Sequence, residues 1–117
     1  MENFFIRLWT KGNPGNIMMM YLTALNLSKK LSIPSSQIRN VYIPLFDIES
    51  PDVSMENLHG IYDREKNNSS LGGLFPIEGY TRLINSSLPD FINLEGFYQN
   101  INNFPLHTEF NYRNIFP

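Results

Sequence analysis

Apolar residues fall into separate runs divided by polar and glycine-rich stretches. The first, Phe4-Phe5-Ile6-Arg7-Leu8-Trp9, is aromatic, branched and nearly continuous in apolar character, which predicts a strand of a buried parallel sheet. Thr10-Lys11-Gly12-Asn13-Pro14-Gly15 interrupts it with two glycines and a proline in four residues. From 16 to about 31 there is no further glycine or proline, and Ile17, Met20, Tyr21, Ala24, Leu27 and Leu31 recur on one helical face. Met18, Leu22 and Leu25 widen that face, so the pattern predicts a helix covered over much of its surface. Asn16 is the expected N-cap, Lys29 and Lys30 complement the dipole in the last turn, and Pro34 ends the element.

The remaining pattern is less regular. Residues 41–48, Val-Tyr-Ile-Pro-Leu-Phe-Asp-Ile, read as a second strand whose Pro44 places it at an edge or a bulge. Residues 49–76 read as one long loop carrying Pro51, Gly60, the polar tract 63–70 and Gly72-Gly73. A short helix is expected over 77–84, a third strand over 90–96, and a turn or short helix over 97–104. The aromatic and polar tail 105–117 shows no period. Strand, glycine-containing turn, helix and strand open a βαβ unit, which predicts an α/β domain with a parallel sheet.

Composition narrows the function. The chain has 117 residues, 42% hydrophobic and 17% charged, within the range of one globular domain. Its formal net charge of −2, with scattered Lys and Arg, gives no basic field for nucleic acid. It has no cysteine, so disulfide and thiolate chemistry are excluded. With only His59 and His107 as imidazoles, no metal site is expected. The first residues lack the long apolar core of a secretory signal, and no run reaches the roughly 20 apolar residues of a membrane span. A cytoplasmic setting is expected. The helix 16–31 lacks the Lys/Arg density of a membrane-surface helix, so packing on a sheet is its expected role. Asn67 and Asn85 begin sequons, and chance in an Asn- and Ser-rich chain accounts for them.

Candidate chemistry centres on the turn Gly12-Asn13-Pro14-Gly15-Asn16. It lies at a strand's C-terminal end and a helix's N-terminus, where ligands of open α/β sheets bind and free N–H groups favour phosphate. It is neither G-x-G-x-x-G nor a Walker loop, so a plain turn is the competing reading. Asp47, Glu49 and Asp52 follow the second expected strand, and Asp63 and Glu65 flank Arg64. One of these acids could serve as a general base, but solvated loop charge is the favoured reading. Tyr98 and Gln99 follow the third expected strand and could line a cleft, with core packing of Phe97 and Tyr98 as the alternative.

Two separated segments add a resemblance. Gly12-Asn13-Pro14-Gly15-Asn16-Ile17-Met18-Met19-Met20-Tyr21 resembles G-G-L-G-N-Q-[ML]-F-Q-Y, the opening signature of family 11 glycosyltransferases, the α-1,2-fucosyltransferases. Residues 24–31 continue like that family's A-x-x-L-A-x-x-L helix. Leu94-Glu95-Gly96-Phe97-Tyr98-Gln99-Asn100-Ile101-Asn102-Asn103-Phe104 resembles its L-x-G-Y-[WF]-Q-S-x-[KR]-Y-F element. Asn13 stands in place of the second glycine, and Ile17 and Met20 in place of glutamines. The likeness spans about residues 3–117, with nothing from 49–77.

The resemblance implies the N-terminal portion of a GT-B-type fold, a single partial Rossmann-like domain over 1–117, incomplete without a second half. It implies transfer of fucose from GDP-fucose to a glycan hydroxyl with inversion, without a metal or other cofactor. Gly12, Asn13, Gly15, Asn16 and Gln99 are the implied substrate-binding residues; no catalytic residue is assigned. The family's H-x-R-x-D motif does not occur here, so Arg64 and Arg82 take no role from it. The expectation is therefore a chain inactive alone, with nucleotide-sugar and glycan as ligands, a partner chain as one source of the missing half, and peripheral membrane association of the full enzyme. A stand-alone α/β binding or interaction module is the alternative, and a related glycosyltransferase with another donor is the third reading.

Overall fold

The computed structural model describes residues 3–9, 14–64 and 89–96. Strand β1 (Phe5–Leu8) is followed by helix α1 (Pro14–Lys30), β2 (Ile38–Arg39), β3 (Val41–Ile43), β4 (Ile48–Ser50), β5 (Gly60–Arg64) and β6 (Phe91–Glu95). Four of them form a parallel sheet in the order β2-β1-β6-β5, and β3 pairs antiparallel with β4 in a separate ribbon. The expected α/β class with a parallel sheet is therefore present, and β1-α1-β2 is compatible with a Rossmann-like βαβ unit. The expected strands over 4–9 and 90–96 are β1 and β6, which lie side by side although 86 positions separate Phe5 from Phe91.

Alternation decides how the sheet is covered. Ile6 and Leu8 of β1, Ile38 of β2 and Ile92 and Leu94 of β6 point to one side and are essentially inaccessible. They meet Met20, Ala24, Leu25 and Leu27 of α1 in one core, which Val41 and Ile43 extend from the ribbon. Each of these Ile, Leu, Val and Met side chains contributes about 1.5–3 kcal/mol when removed from water, and Ala24 less. The helix is wrapped well beyond a single stripe: Leu22, Thr23 and Ser28 are buried too.

Helix α1 starts earlier than its expected boundary. Pro14 takes the first position, where its missing N–H costs nothing, so Asn16 lies inside the first turn and is not the N-cap. Its C-terminus closes before Pro34. Ser32 adopts φ 58°, its N–H donates to Lys29 O, and Ile33 N–H donates to Ser28 O at 2.7 Å, a Schellman-type closure made without glycine.

Two expectations are corrected. Residues 41–48 do not form one strand. Pro44–Phe46 make a 3₁₀ turn, Asp47 takes φ 55°, and the chain reverses into the β3–β4 ribbon. Pro44 has no N–H to give a ladder and a fixed φ that suits the first position of the turn. The strand that joins β1 is instead the two-residue β2. The supposed loop over 49–76 also contains the end of β4 and all of β5. Gly60, expected in that loop, opens β5, and the ring of its neighbour Phe91 lies over it and leaves no room for a side chain. The helix expected over 77–84, the turn over 97–104 and the tail lie outside the described residues, as do positions 65–76 of the loop.

Candidate functional site

The side of the sheet turned away from α1 is polar in its middle. Arg39 of β2, Arg7 of β1, Asn93 of β6 and Tyr62 of β5 are successive register partners, so one level across all four strands carries a polar side chain. Below this row Phe5 and Phe91 stack with centroids 5.4 Å apart, and Tyr62 meets Phe91 edge-on at 5.5 Å. Glu95 stands one step above Asn93, at the C-terminal end of β6.

These side chains are linked. Arg7 Nε and Nη2 donate to the two carboxylate oxygens of Asp52 at 2.7 and 3.0 Å, a fork-to-fork pair. Arg7 Nη1 donates to Asn93 Oδ1 at 3.0 Å, and Asn93 Nδ2 donates to Glu95 Oε1 at 3.1 Å. Asn93 is buried, and its amide joins the guanidinium to the carboxylate without being charged itself. The hydrogen bond from Arg7 holds Asp52 below the usual carboxylate range, helped by the Val53 N–H and opposed by partial burial. The same bond raises Arg7 further, against desolvation, with the charges of Asp52, Tyr62 and Glu95 adding to it.

Asp52 reaches Arg7 because the chain after β4 is stitched back to the sheet. Asn40, at φ 65°, ends β2, donates its side-chain N–H to Leu8 O at 2.8 Å, and gives its backbone N–H to Pro51 O. Arg39 Nη1 donates to Ser36 O and, at 3.4 Å, to Ser50 Oγ. Farther on, Asp90 ties the starts of β5 and β6 together by accepting from His59 N–H and donating to His59 O.

Two cavities flank residues 50–51. The smaller, about 230 Å³, is lined by Ile17 from the first turns of α1, Asn40 to Tyr42, and Glu49 to Asp52. It therefore lies at the C-terminal edge of β1 and β2 beside the start of α1, the edge where open α/β sheets take ligands. The larger, about 450 Å³, lies between Tyr21, the Ser35–Arg39 region and the ribbon from Asp47 to Pro51. Burial pushes the Tyr21 phenol up. The arrangement can offer hydrogen-bond acceptors to hydroxyl groups from Glu49, Asp52 and Ser50, and a fixed guanidinium to an anion.

Of the residues singled out from sequence, Gly15 is the exposed second residue of α1 and Asn16 the third, partly buried. Neither lines a cavity described above; their neighbour Ile17 does. Gly12, Asn13, Gln99, Tyr98, His107, Glu65 and Arg82 lie outside the described residues. Among the acids expected to be solvated loop charge, Asp52 is instead bound to Arg7, and Glu49 faces both cavities. Asp63 is buried in β5, where a loop residue was expected. Arg7, Asn40, Asn93 and Glu95 were not singled out for a site role at all. Arg7 carried a signal, a lone guanidinium inside a nearly continuous apolar strand.

Among the described residues no group of three or more His, Asp or Glu gathers as metal ligands, and no helix is long and apolar enough to cross a membrane. Fold and site together define an α/β chain with a parallel sheet and a polar cleft at its C-terminal edge. This chain matches no family model, no curated protein and no solved structure.

Proposed function

We propose that the chain is the N-terminal, Rossmann-like wall of a GT-B-type glycosyltransferase that uses a nucleotide-sugar, with GDP-fucose as donor and a glycan hydroxyl as acceptor. The observation that supports this reading is the position of the 230 Å³ cavity. It borders the first turns of α1, which carry residues 14–21 of the fucosyltransferase-like segment, and it sits at the ligand-binding edge of a parallel sheet. In this reading the β1–α1 turn, with Gly12, Asn13, Gly15 and Asn16, approaches the donor phosphates, and Gln99 borders the cleft from the chain after β6.

Inverting transfer needs a base for the acceptor hydroxyl and cations for the departing diphosphate. Arg7 and Arg39 are both engaged within the chain. A second half, in the same or a partner chain, supplies the remaining cationic groups, and the 117 residues alone turn over no donor. The full enzyme works in the cytoplasm, with peripheral association at the membrane surface. Titration of the chain with GDP-fucose and with GDP, followed by calorimetry and thermal unfolding, tests the reading. A ligand that binds only the folded state raises the unfolding temperature. Absence of any heat or shift at millimolar GDP and GDP-fucose refutes it, and GDP release by the chain alone refutes the division of labour.

The engaged arginines favour a second reading, a binding module without catalysis. A chain that binds a glycan or free sugar through the Ser, Glu and Asp groups of the cavities, with no response to GDP, meets that reading and not the first.

A further inference from the structure

Asp52 has two surroundings at once. Its carboxylate fills the Arg7 fork through both oxygens, and the same residue forms part of the wall of the 230 Å³ cavity. The two partners differ in how firmly they are held. Arg7 is fixed by β1, by its position between β2 and β6, and by Asn93 Oδ1, and its side chain is only 18% accessible. Asp52 is 47% accessible and belongs to residues 51–59, which form no strand or helix. A carboxylate and a phosphoryl group offer a guanidinium the same pair of oxygens. Water reaches the pair from the Asp52 side, so a competing anion approaches the fork from there.

We propose that the Arg7 fork is an anion-binding site whose resting occupant is Asp52, and that a diphosphate entering the cavity replaces Asp52 and releases the segment 51–59. The identity of the anion rests on the nucleotide-sugar reading; the displaceable carboxylate does not. Arg39, the register partner of Arg7, places a second guanidinium on the neighbouring 450 Å³ cavity. Asp52 occupies Arg7 Nε and Nη2, so the fork binds another anion only once Asp52 has left, and Glu49 on the same cavity opposes that anion. The contact is therefore a built-in restraint: Asp52 holds the strap against the sheet edge while the site is empty, and diphosphate moves it.

The test uses inorganic pyrophosphate as probe, titrated by calorimetry at fixed ionic strength into the full chain and three variants. Asp52→Asn removes the competing charge and tightens pyrophosphate binding about five-fold. Glu56→Gln removes the same charge from the same segment without touching Arg7, and leaves the affinity within about two-fold. Arg7→Lys keeps the charge and loses the fork, and binds pyrophosphate several-fold more weakly than the unmodified chain. In the unmodified chain, pyrophosphate speeds hydrogen exchange at Val53 and Asn40, whose N–H groups the strap engages.

Equal affinities for Asp52→Asn and Glu56→Gln, full binding by Arg7→Lys, or no pyrophosphate binding by any variant overturns the proposal. GDP-fucose binding that is indifferent to Asp52 sinks this inference and leaves the proposed function standing. Pyrophosphate binding gated by Asp52, without any response to GDP or GDP-fucose, does the reverse.

Discussion

Gly60→Ala should destabilise the fold, although the usual sign of a glycine-to-alanine change in a strand is the opposite. Gly60 opens β5, and its backbone is not left-handed, so alanine meets no dihedral penalty there. Alanine also restricts the unfolded chain, which alone would stabilise by about 0.4–1 kcal/mol. The obstacle is Phe91. A Cβ on Gly60 would lie 2.5 Å from Cδ2 and Cζ of that ring, and closer still to Cε2. Ordinary carbon contacts sit at roughly 3.5–4.0 Å, so the ring must retreat by about 1 Å. It has little freedom to do so. Phe91 is fully buried, with Phe5 stacked on it and the Tyr62 edge against it. Overpacking of this kind costs about 1–3 kcal/mol, which outweighs the entropic gain. A net loss of about 1–2 kcal/mol corresponds to a fall of very roughly 3–12 °C in Tm for a domain of this size. Thermal unfolding by circular dichroism measures it. The accompanying Gly60→Ala, Phe91→Leu double variant should recover part of the loss relative to additivity, because leucine vacates the ring's footprint. A Gly60→Ala variant as stable as the parent, or more so, would refute the steric account.

Replacing Asp52 by Asn removes a pair whose acid sits below its ordinary value, so the parent's advantage is full above the unfolded pKa of 3.8 and disappears as pH falls through the lower folded value. Because the pair is partly exposed, the difference at neutral pH is about 1 kcal/mol or less, and denaturant titrations between pH 7 and pH 2.5 should converge. Asn40→Gly keeps access to φ 65° but loses the bond to Leu8 O, whereas Asn40→Ala loses both; urea midpoints should rank parent, then Gly, then Ala, with Ala about 1–2 kcal/mol below the parent. Thr23 is buried with its hydroxyl lacking a hydrogen-bond partner among the described residues, so Thr23→Val should raise stability by about 1 kcal/mol in the same assay. The double variant Arg7→Met, Asn93→Leu should remain folded with stability within about 2 kcal/mol of the parent, while losing whatever pyrophosphate affinity the parent shows.

The parts of the fold that were legible in the sequence are those whose burial is local. β1 is a nearly continuous apolar run broken only by Arg7, β6 alternates apolar and polar positions, and α1 shows its spacing over four turns. What escaped depends on partners distant in the chain. β5 begins with glycine and ends in charge, and it becomes a strand only through its pairing with β6. β2 is two residues long, too short for any period, and exists because Ile38 and Arg39 register with Ile6 and Arg7. In the run 41–48 apolar character concealed a reversal: Val41 and Ile43 are buried, but Tyr42 is 61% and Leu45 83% accessible. The turn residues 12–16 were readable as a possible ligand edge from the strand–helix junction alone. Arg7, Arg39, Tyr62 and Asn93 were not readable as a row, because their alignment follows from the register of four strands.

That row also bears on why the sheet is built as it is. Central strands of a parallel sheet ordinarily present apolar side chains to both sides. A guanidinium, an amide and a carboxylate linked there must each give up water, and well-packed hydrophobic replacements of such groups are often neutral or stabilising. Stability therefore does not account for the arrangement. Specificity of folding accounts for it poorly as well, since the apolar side formed by Ile6, Leu8, Ile92 and Leu94 already sets the register of β1 and β6: a shift of one residue would bring Arg7 and Asn93 against α1. What the row does accomplish is geometric. It carries a fixed positive charge from the middle of β1 toward Asp52 at one cavity, and through Asn93 it orients Glu95 at the C-terminal end of β6. Local rules of sequence and packing are most often broken where a protein binds or reacts, and here the breach leads from the middle of the sheet to Asp52 at the cavity on its edge.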